Sequence, residues 1–154
     1  MSKKAIMNPS KQIERKMQIS NINEAVHSVC DQILCELKES GYDEEQLFAI
    51  HLSLEEVFLN ALEHGNDNDP SKSIVVEYRL DSEKFEIYVS DEGEGFKYEN
   101  VPDPRKEENL LKTSGRGLLL IRSYMDLVEY NESGNRVHMI KYSNIRPKPM
   151  AELS

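Results

Sequence analysis

Residues 52–66 read LSLEEVFLNALEHGN, and within them Glu56, Asn60 and His64 stand four positions apart. On a helix each step of four advances the azimuth by only about 40°, so the three side chains share one stripe. A core face would not choose a carboxylate, an amide and an imidazole, and a solvated face needs no such order. Glu56 can serve as a general base that orients a hydroxyl or a water and takes its proton. Asn60 offers a neutral carbonyl oxygen to a hard cation. Mg2+ takes one or two protein ligands and draws the rest from phosphates and water, so a single Asn beside a triphosphate suits it. A plainer reading also stands: a solvated Glu56, a surface amide at Asn60, and His64 capping the last helical carbonyls, where the dipole favours it. Glu55 competes for the base role but lies about 100° round the helix, away from Asn60. His27, His51, His64 and His138 have no metal-ligand spacing.

Two glycine-containing stretches supply further chemistry. DEGEGF, residues 91–96, follows a strand pattern directly. Gly93 and Gly95 let the backbone turn sharply and approach a flat ligand, and Asp91 can accept a hydrogen bond from an exocyclic amine such as adenine N6. A simple turn is the alternative. SGRGLLLI, residues 114–121, opens a helical pattern with Gly115 and Gly117. Free N–H groups at a helix start make a natural phosphate site. The stretch lacks the GK[ST] of a Walker loop and the order GxGxxG. Lys97, Arg105, Lys106, Arg116 and Arg122 can neutralise phosphate, although each alone is more often a solvated cation.

The elements that must position these residues follow from periodicity. A short strand is expected over residues 12–19. NINEAVHSVCDQILCELKESG keeps a helical period, with Asn21 or Asn23 as the cap and Gly41 as the stop. The second helix starts at Asp43, with Gln46 completing a capping box, and ends at Gly65. The period then falls to two: SIVVEYRL and KFEIYVS form a hairpin about DSE. Residues 91–117 are a long Gly-, Pro- and charge-rich loop, of a length that suits a lid closing on a filled site. GRGLLLIRSYMDLV returns to helix, and VEYNESGNRVHMIKY forms a last hairpin about SGN. Hairpins rather than βαβ units predict an α+β two-layer sandwich, its sheet mixed but mostly antiparallel and its helices on one face. The expected organisation is a flexible N-terminus (1–11), one domain (12–143) and a flexible tail (144–154).

The helix EEVFLNALEHGN, then DEGEGF, then GRGLLLI with MDLV behind it, resembles the Bergerat (GHKL-type) ATP-binding fold of gyrase, Hsp90, histidine kinases and MutL. The branch it resembles most is the anti-sigma-factor serine/threonine kinases of the RsbW and SpoIIAB type, over residues 21–142. By that resemblance Glu56 is the catalytic base and Asn60 the magnesium ligand. Asp91 binds adenine within the loop of Gly93 and Gly95, and Gly115, Arg116, Gly117 and Leu118 lie beside the phosphates. His64 borders the same nucleotide. The resemblance implies ATP and Mg2+ as cofactors and phosphorylation of a serine or threonine on a small anti-anti-sigma-like STAS protein. A sigma factor is implied as a second partner, often with a homodimer. A regulatory module that holds nucleotide and sequesters a partner without phosphorylating it is the alternative; it does not need Glu56.

Bulk properties narrow the classes. The 154 residues are 38% hydrophobic and 31% charged, the balance of a globular domain. A net charge of −9 argues against a nucleic-acid partner. Residues 1–20 alone are basic, with Lys3, Lys4, Lys11, Arg15 and Lys16 against Glu14. No 18-residue apolar run or signal pattern appears, so no membrane association and a cytoplasmic location are expected. Cys30 and Cys35 are read as buried small hydrophobes, since a spacing of five cannot close a local bridge.

Overall fold

A computed structural model describes residues 12–93 and 120–144. Five strands, β1 (Ile13–Ser20), β2 (Ser73–Leu80), β3 (Lys84–Asp91), β4 (Leu127–Tyr130) and β5 (Arg136–Tyr142), form one sheet in the order β1-β2-β3-β5-β4. All four pairings are antiparallel. The "mixed" part of the expectation is therefore not needed among the described residues. Two helices, α1 (Asn23–Glu39) and α2 (Glu44–Leu59), join the sheet through a common core.

The strands alternate because one face is covered and the other is wet. Ile74, Val76, Tyr78 and Leu80 of β2, and Phe85, Ile87 and Val89 of β3, turn inward and are buried. Val29, Ile33 and Leu37 of α1 and Ile50, Leu54, Val57 and Phe58 of α2 complete the same core. The opposite face carries polar pairs. His138 stacks on Tyr88 with ring centroids 4.2 Å apart, and its Nε2 lies 2.6 Å from Glu86. The register puts Asp91 opposite Ile74 and Tyr130 opposite Val137. Both thus belong to the rows that face the helices, which matters for the site.

Helix ends follow the local chemistry in part. Asp43 caps α2: its Oδ1 accepts from Gln46 N–H at 2.8 Å and the reciprocal bond closes the capping box. Gly41, at φ 100°, supplies the left-handed turn after α1. The start of α1 departs from expectation, because Ile22 is the N-cap position and no side chain caps it. Asn21 is used elsewhere, as described below. Only residues 120–124 of the third helical pattern are described as helix. Leu127, expected to continue it, instead begins β4 with Val128, which the expected hairpin already included; pairing with Ile140 and Met139 outweighs the helical period. Cys30 is buried, but Cys35 is exposed, which corrects its reading as a core residue. Among the described residues no helix is long and apolar enough to cross a membrane.

Candidate active site

α2 does not stop at Leu59. It widens into a π-helical turn over Asn60–Gly65, whose closing bond runs from Asn66 N–H to Ala61 O at 2.7 Å. Single π turns are rare and concentrate at functional positions. Past Asn60 the azimuth per residue is therefore not that of an α-helix. Glu56 and Asn60 stand at the entrance of this turn, four residues apart, and the Asn60 amide partly offsets the effect of burial on the Glu56 carboxyl. His64, one wide turn further on, is exposed at the rim and acts on Glu56 only through its charge.

The end of this helix is pressed against the end of β3. A Cβ placed on Gly65 would stand 2.2 Å from both Cγ and Oδ2 of Asp91. A Cβ on Gly93 would stand 1.9 Å from the carbonyl oxygen of Gly65. Glycine is thus required at both positions, for close approach rather than for turning. Asp91 is held in place by the Gly93 N–H, which donates to its Oδ1 at 2.8 Å.

Two buried asparagines lock the junction. Asn66, with no exposed surface, donates to Asn21 Oδ1 (3.1 Å) and to the carbonyl of Ser73 (2.8 Å), and it accepts from Glu92 N–H (2.8 Å). Asn21 in turn donates to the carbonyls of Leu62 (3.3 Å) and Asp69 (3.1 Å). The helix end, the start of β2 and the end of β3 are thereby tied at one point. Replacing Asn66 by Ala deletes three bonds and strands buried partners. We expect a loss of about 3 kcal/mol, read from urea denaturation midpoints at unchanged slope.

The electrostatics converge on the same place. Burial raises the Glu56 carboxyl above the usual range, partly offset by Asn60 and His64. Burial likewise raises Asp91, offset in part by the Gly93 N–H. Tyr130, half-buried, is pushed up to about 12, first by burial; the Asn60 amide opposes this, and the charges of Glu56 and Asp91 add to it. Tyr130 thus senses Asn60, Glu56 and Asp91 at once. Two buried side-chain oxygens, Glu56 Oε2 and Asn60 Oδ1, have no hydrogen-bond partner among the described residues. Buried polar atoms left unpaired call for an explanation. A neutral carbonyl oxygen beside a carboxylate fits a hard divalent cation, so the residues present are compatible with Mg2+.

Residues 19–141 match the histidine kinase-like ATPase domain. The chain belongs to this family. It is 31% identical over 112 residues to the serine-protein kinase RsbW of Listeria monocytogenes serovar 1/2a, covering 68% of this chain and 71% of that one. To the RsbW of Bacillus subtilis strain 168 it is 27% identical over 111 residues, covering 68% and 69%. A solved structure of the RsbU and RsbW domains of a Mycobacterium tuberculosis protein aligns with a TM-score of 0.59 at 19% identity. It covers 88% of this chain and 33% of that longer one, and it supports the α+β fold. The chain is thus a GHKL-type, ATP-binding domain of the kinase branch that includes the RsbW proteins.

Within this histidine kinase-like ATPase domain, the structure brings together Glu56, Asn60, Asp91 and Gly93, and it leaves His64 at the rim. Gly95, Gly115, Arg116, Gly117 and Leu118, with the expected lid, lie outside the described residues. Sequence reasoning missed Gly65 as a contact of Asp91, the Asn21–Asn66 clamp, and Tyr130. For Gly65 the signal was present, since a glycine at a helix end can signify close packing as well as termination. Nothing local marked the clamp or Tyr130.

Proposed function

We propose that the chain is an ATP-dependent serine/threonine protein kinase that acts as an anti-sigma-type regulator on an anti-anti-sigma-like STAS partner. The observation that carries this reading is the pair of buried oxygens, Glu56 Oε2 and Asn60 Oδ1, left without a partner among the described residues, one turn before the Gly65 that packs against Asp91. The similarity to serine-protein kinases of Listeria and Bacillus supports it.

In this reading Asp91 accepts the exocyclic amine of adenine at one end of the cleft, and Gly65 and Gly93 leave room for its carboxylate. Asn60 Oδ1 would be the ligand for Mg2+. When bound, the cation neutralises the phosphates. Glu56 orients the partner's hydroxyl and receives its proton, a role suited to a carboxyl raised above its usual range by burial. Placing the hydroxyl against the terminal phosphate is otherwise a matter of position and charge. The resemblance assigns Gly115, Arg116, Gly117 and Leu118 to the phosphates and Gly95 to adenine, with His64 beside the same nucleotide. A sigma factor as second partner, and a homodimer, follow from the same resemblance.

The test is incubation of the purified chain with γ-labelled ATP, Mg2+ and a STAS-domain protein from the same genome. Label on a serine or threonine of that protein is expected. A stable complex with no label on the partner would replace the kinase by the sequestering module.

A further inference from the structure

We propose that Asn135 is a positioning residue that sets the preference for adenine by clasping the turn that carries Asp91. This rests on the reading of Asp91 as the adenine ligand. One hydrogen bond to an exocyclic amine discriminates between bases only where the accepting oxygen is fixed. The Gly93 N–H fixes Asp91 Oδ1 at 2.8 Å, which leaves Oδ2 for the amine. The aim of Asp91 therefore depends on Gly93. That residue has to be glycine, because a Cβ there would stand 1.9 Å from the carbonyl oxygen of Gly65. Glycine brings backbone freedom with it, and another group must restrain it.

Asn135, half-buried in the turn between β4 and β5, holds both ends of the 91–93 stretch. Its main-chain carbonyl accepts from Asp91 N–H at 2.9 Å, and its Nδ2 donates to Gly93 O at 3.1 Å. The amide cannot reverse without loss, because Asn131 Nδ2 donates to Asn135 Oδ1 at 2.9 Å. That bond settles which end is the oxygen and turns the NH2 toward Gly93. Asn131 is itself placed by the turn: its Oδ1 accepts from Asn135 N–H at 3.0 Å and from Arg136 N–H at 3.2 Å.

The residue between the two ends is anchored separately. Glu92 N–H donates to Asn66 Oδ1 at 2.8 Å, and Glu92 Oε2 accepts from Ser73 N–H at 2.6 Å. A change in the Asn135 side chain leaves these bonds in place, together with the main-chain bond to Asp91. It releases one group of the stretch, the Gly93 carbonyl, and so loosens the N–H that aims Asp91. The expected effect is thus on recognition of the base.

The experiment is calorimetric titration of the wild type, Asn135→Asp and Asn135→Ala with two nucleotides at equal Mg2+. One is a non-hydrolysable ATP analogue. The other is the same analogue of purine riboside triphosphate, which has hydrogen in place of the 6-amino group. Asp keeps the size and the acceptor for Asn131 but sets an oxygen against Gly93 O; Ala removes the amide altogether. Circular dichroism verifies the fold. Each variant is expected to weaken the adenine nucleotide about 5- to 10-fold, the value of about one hydrogen bond, and the nucleotide without the amine less than about 2-fold. Equal losses with both nucleotides, or no loss with either, would overturn the role of Asn135. A wild type that binds the two nucleotides equally would instead remove Asp91 as the adenine ligand, and one that binds neither would refute the nucleotide site itself.

Discussion

Glu56→Gln is expected to lower phosphoryl transfer to the partner by about 10²- to 10⁴-fold, the usual range for loss of a general base, while nucleotide binding persists. Glutamine preserves the shape but cannot take a proton. Single-turnover transfer, measured beside equilibrium ADP binding, separates the two effects. The pH dependence has a definite sign. Because burial raises the folded carboxyl, wild-type transfer should increase with pH through a value above the ordinary carboxylate range. Stability runs the other way. A group that binds its proton more tightly when folded favours the fold while protonated, and that contribution is lost as pH rises from the ordinary value through the raised one. Unliganded wild type should therefore lose stability over that window. Glu56→Gln should show a shallower loss and a higher melting temperature at neutral pH. Some slope should remain, because Asp91 is raised by the same cause. A site that costs stability and is needed for activity is a common compromise.

Gly65→Ala should reduce ATP affinity on the order of 10- to 100-fold, the value of one charge-assisted hydrogen bond of about 1.5–3 kcal/mol. The new methyl would overlap the Asp91 carboxylate, at 2.2 Å from Cγ and Oδ2 and 2.6 Å from Oδ1. Asp91 is short and anchored at Gly93 N–H, so it cannot yield without leaving its place in the cleft. Gly93→Ala makes an instructive contrast. There the clash is with the backbone carbonyl of Gly65 at 1.9 Å, so the chain itself must move and stability should fall along with affinity. Parallel fluorescence titration with an ATP analogue and thermal melts distinguish the two. If Gly65→Ala binds as well as wild type, Asp91 is not an adenine ligand.

The parts of the fold governed by neighbours in sequence were legible. Asp43 and Gln46 stand three apart, and that spacing alone specified the capping box. The alternation of β2 and β3 was visible because one face is buried and the other wet. The stripe of Glu56 and Asn60 was visible for the same local reason, and Asp91 was marked by the glycines beyond it. What could not be read depends on contacts distant in sequence. Asn21 looked like a helix cap because asparagine favours that position; its bonds to the carbonyls of Leu62 and Asp69, and to Asn66, decided otherwise. Tyr130 gave no sign, since seventy positions separate it from Asn60 and only the strand order brings them together. The π turn at Asn60–Gly65 follows from no residue preference. It coincides with the packing of Gly65 onto β3, a tertiary constraint. The end of the third helical pattern was misplaced because Leu127 and Val128 suit a helix and a strand equally, and β5 chose the strand.

The most direct measurement is calorimetry of the purified, folded chain with ATP, in Mg2+ and then in EDTA, repeated on Asn60→Ala. The account predicts one saturable site per chain, tightened by Mg2+ in the wild type and indifferent to Mg2+ once the amide is gone. Heats no greater than dilution at millimolar ATP, or a magnesium effect that survives in Asn60→Ala, would contradict it.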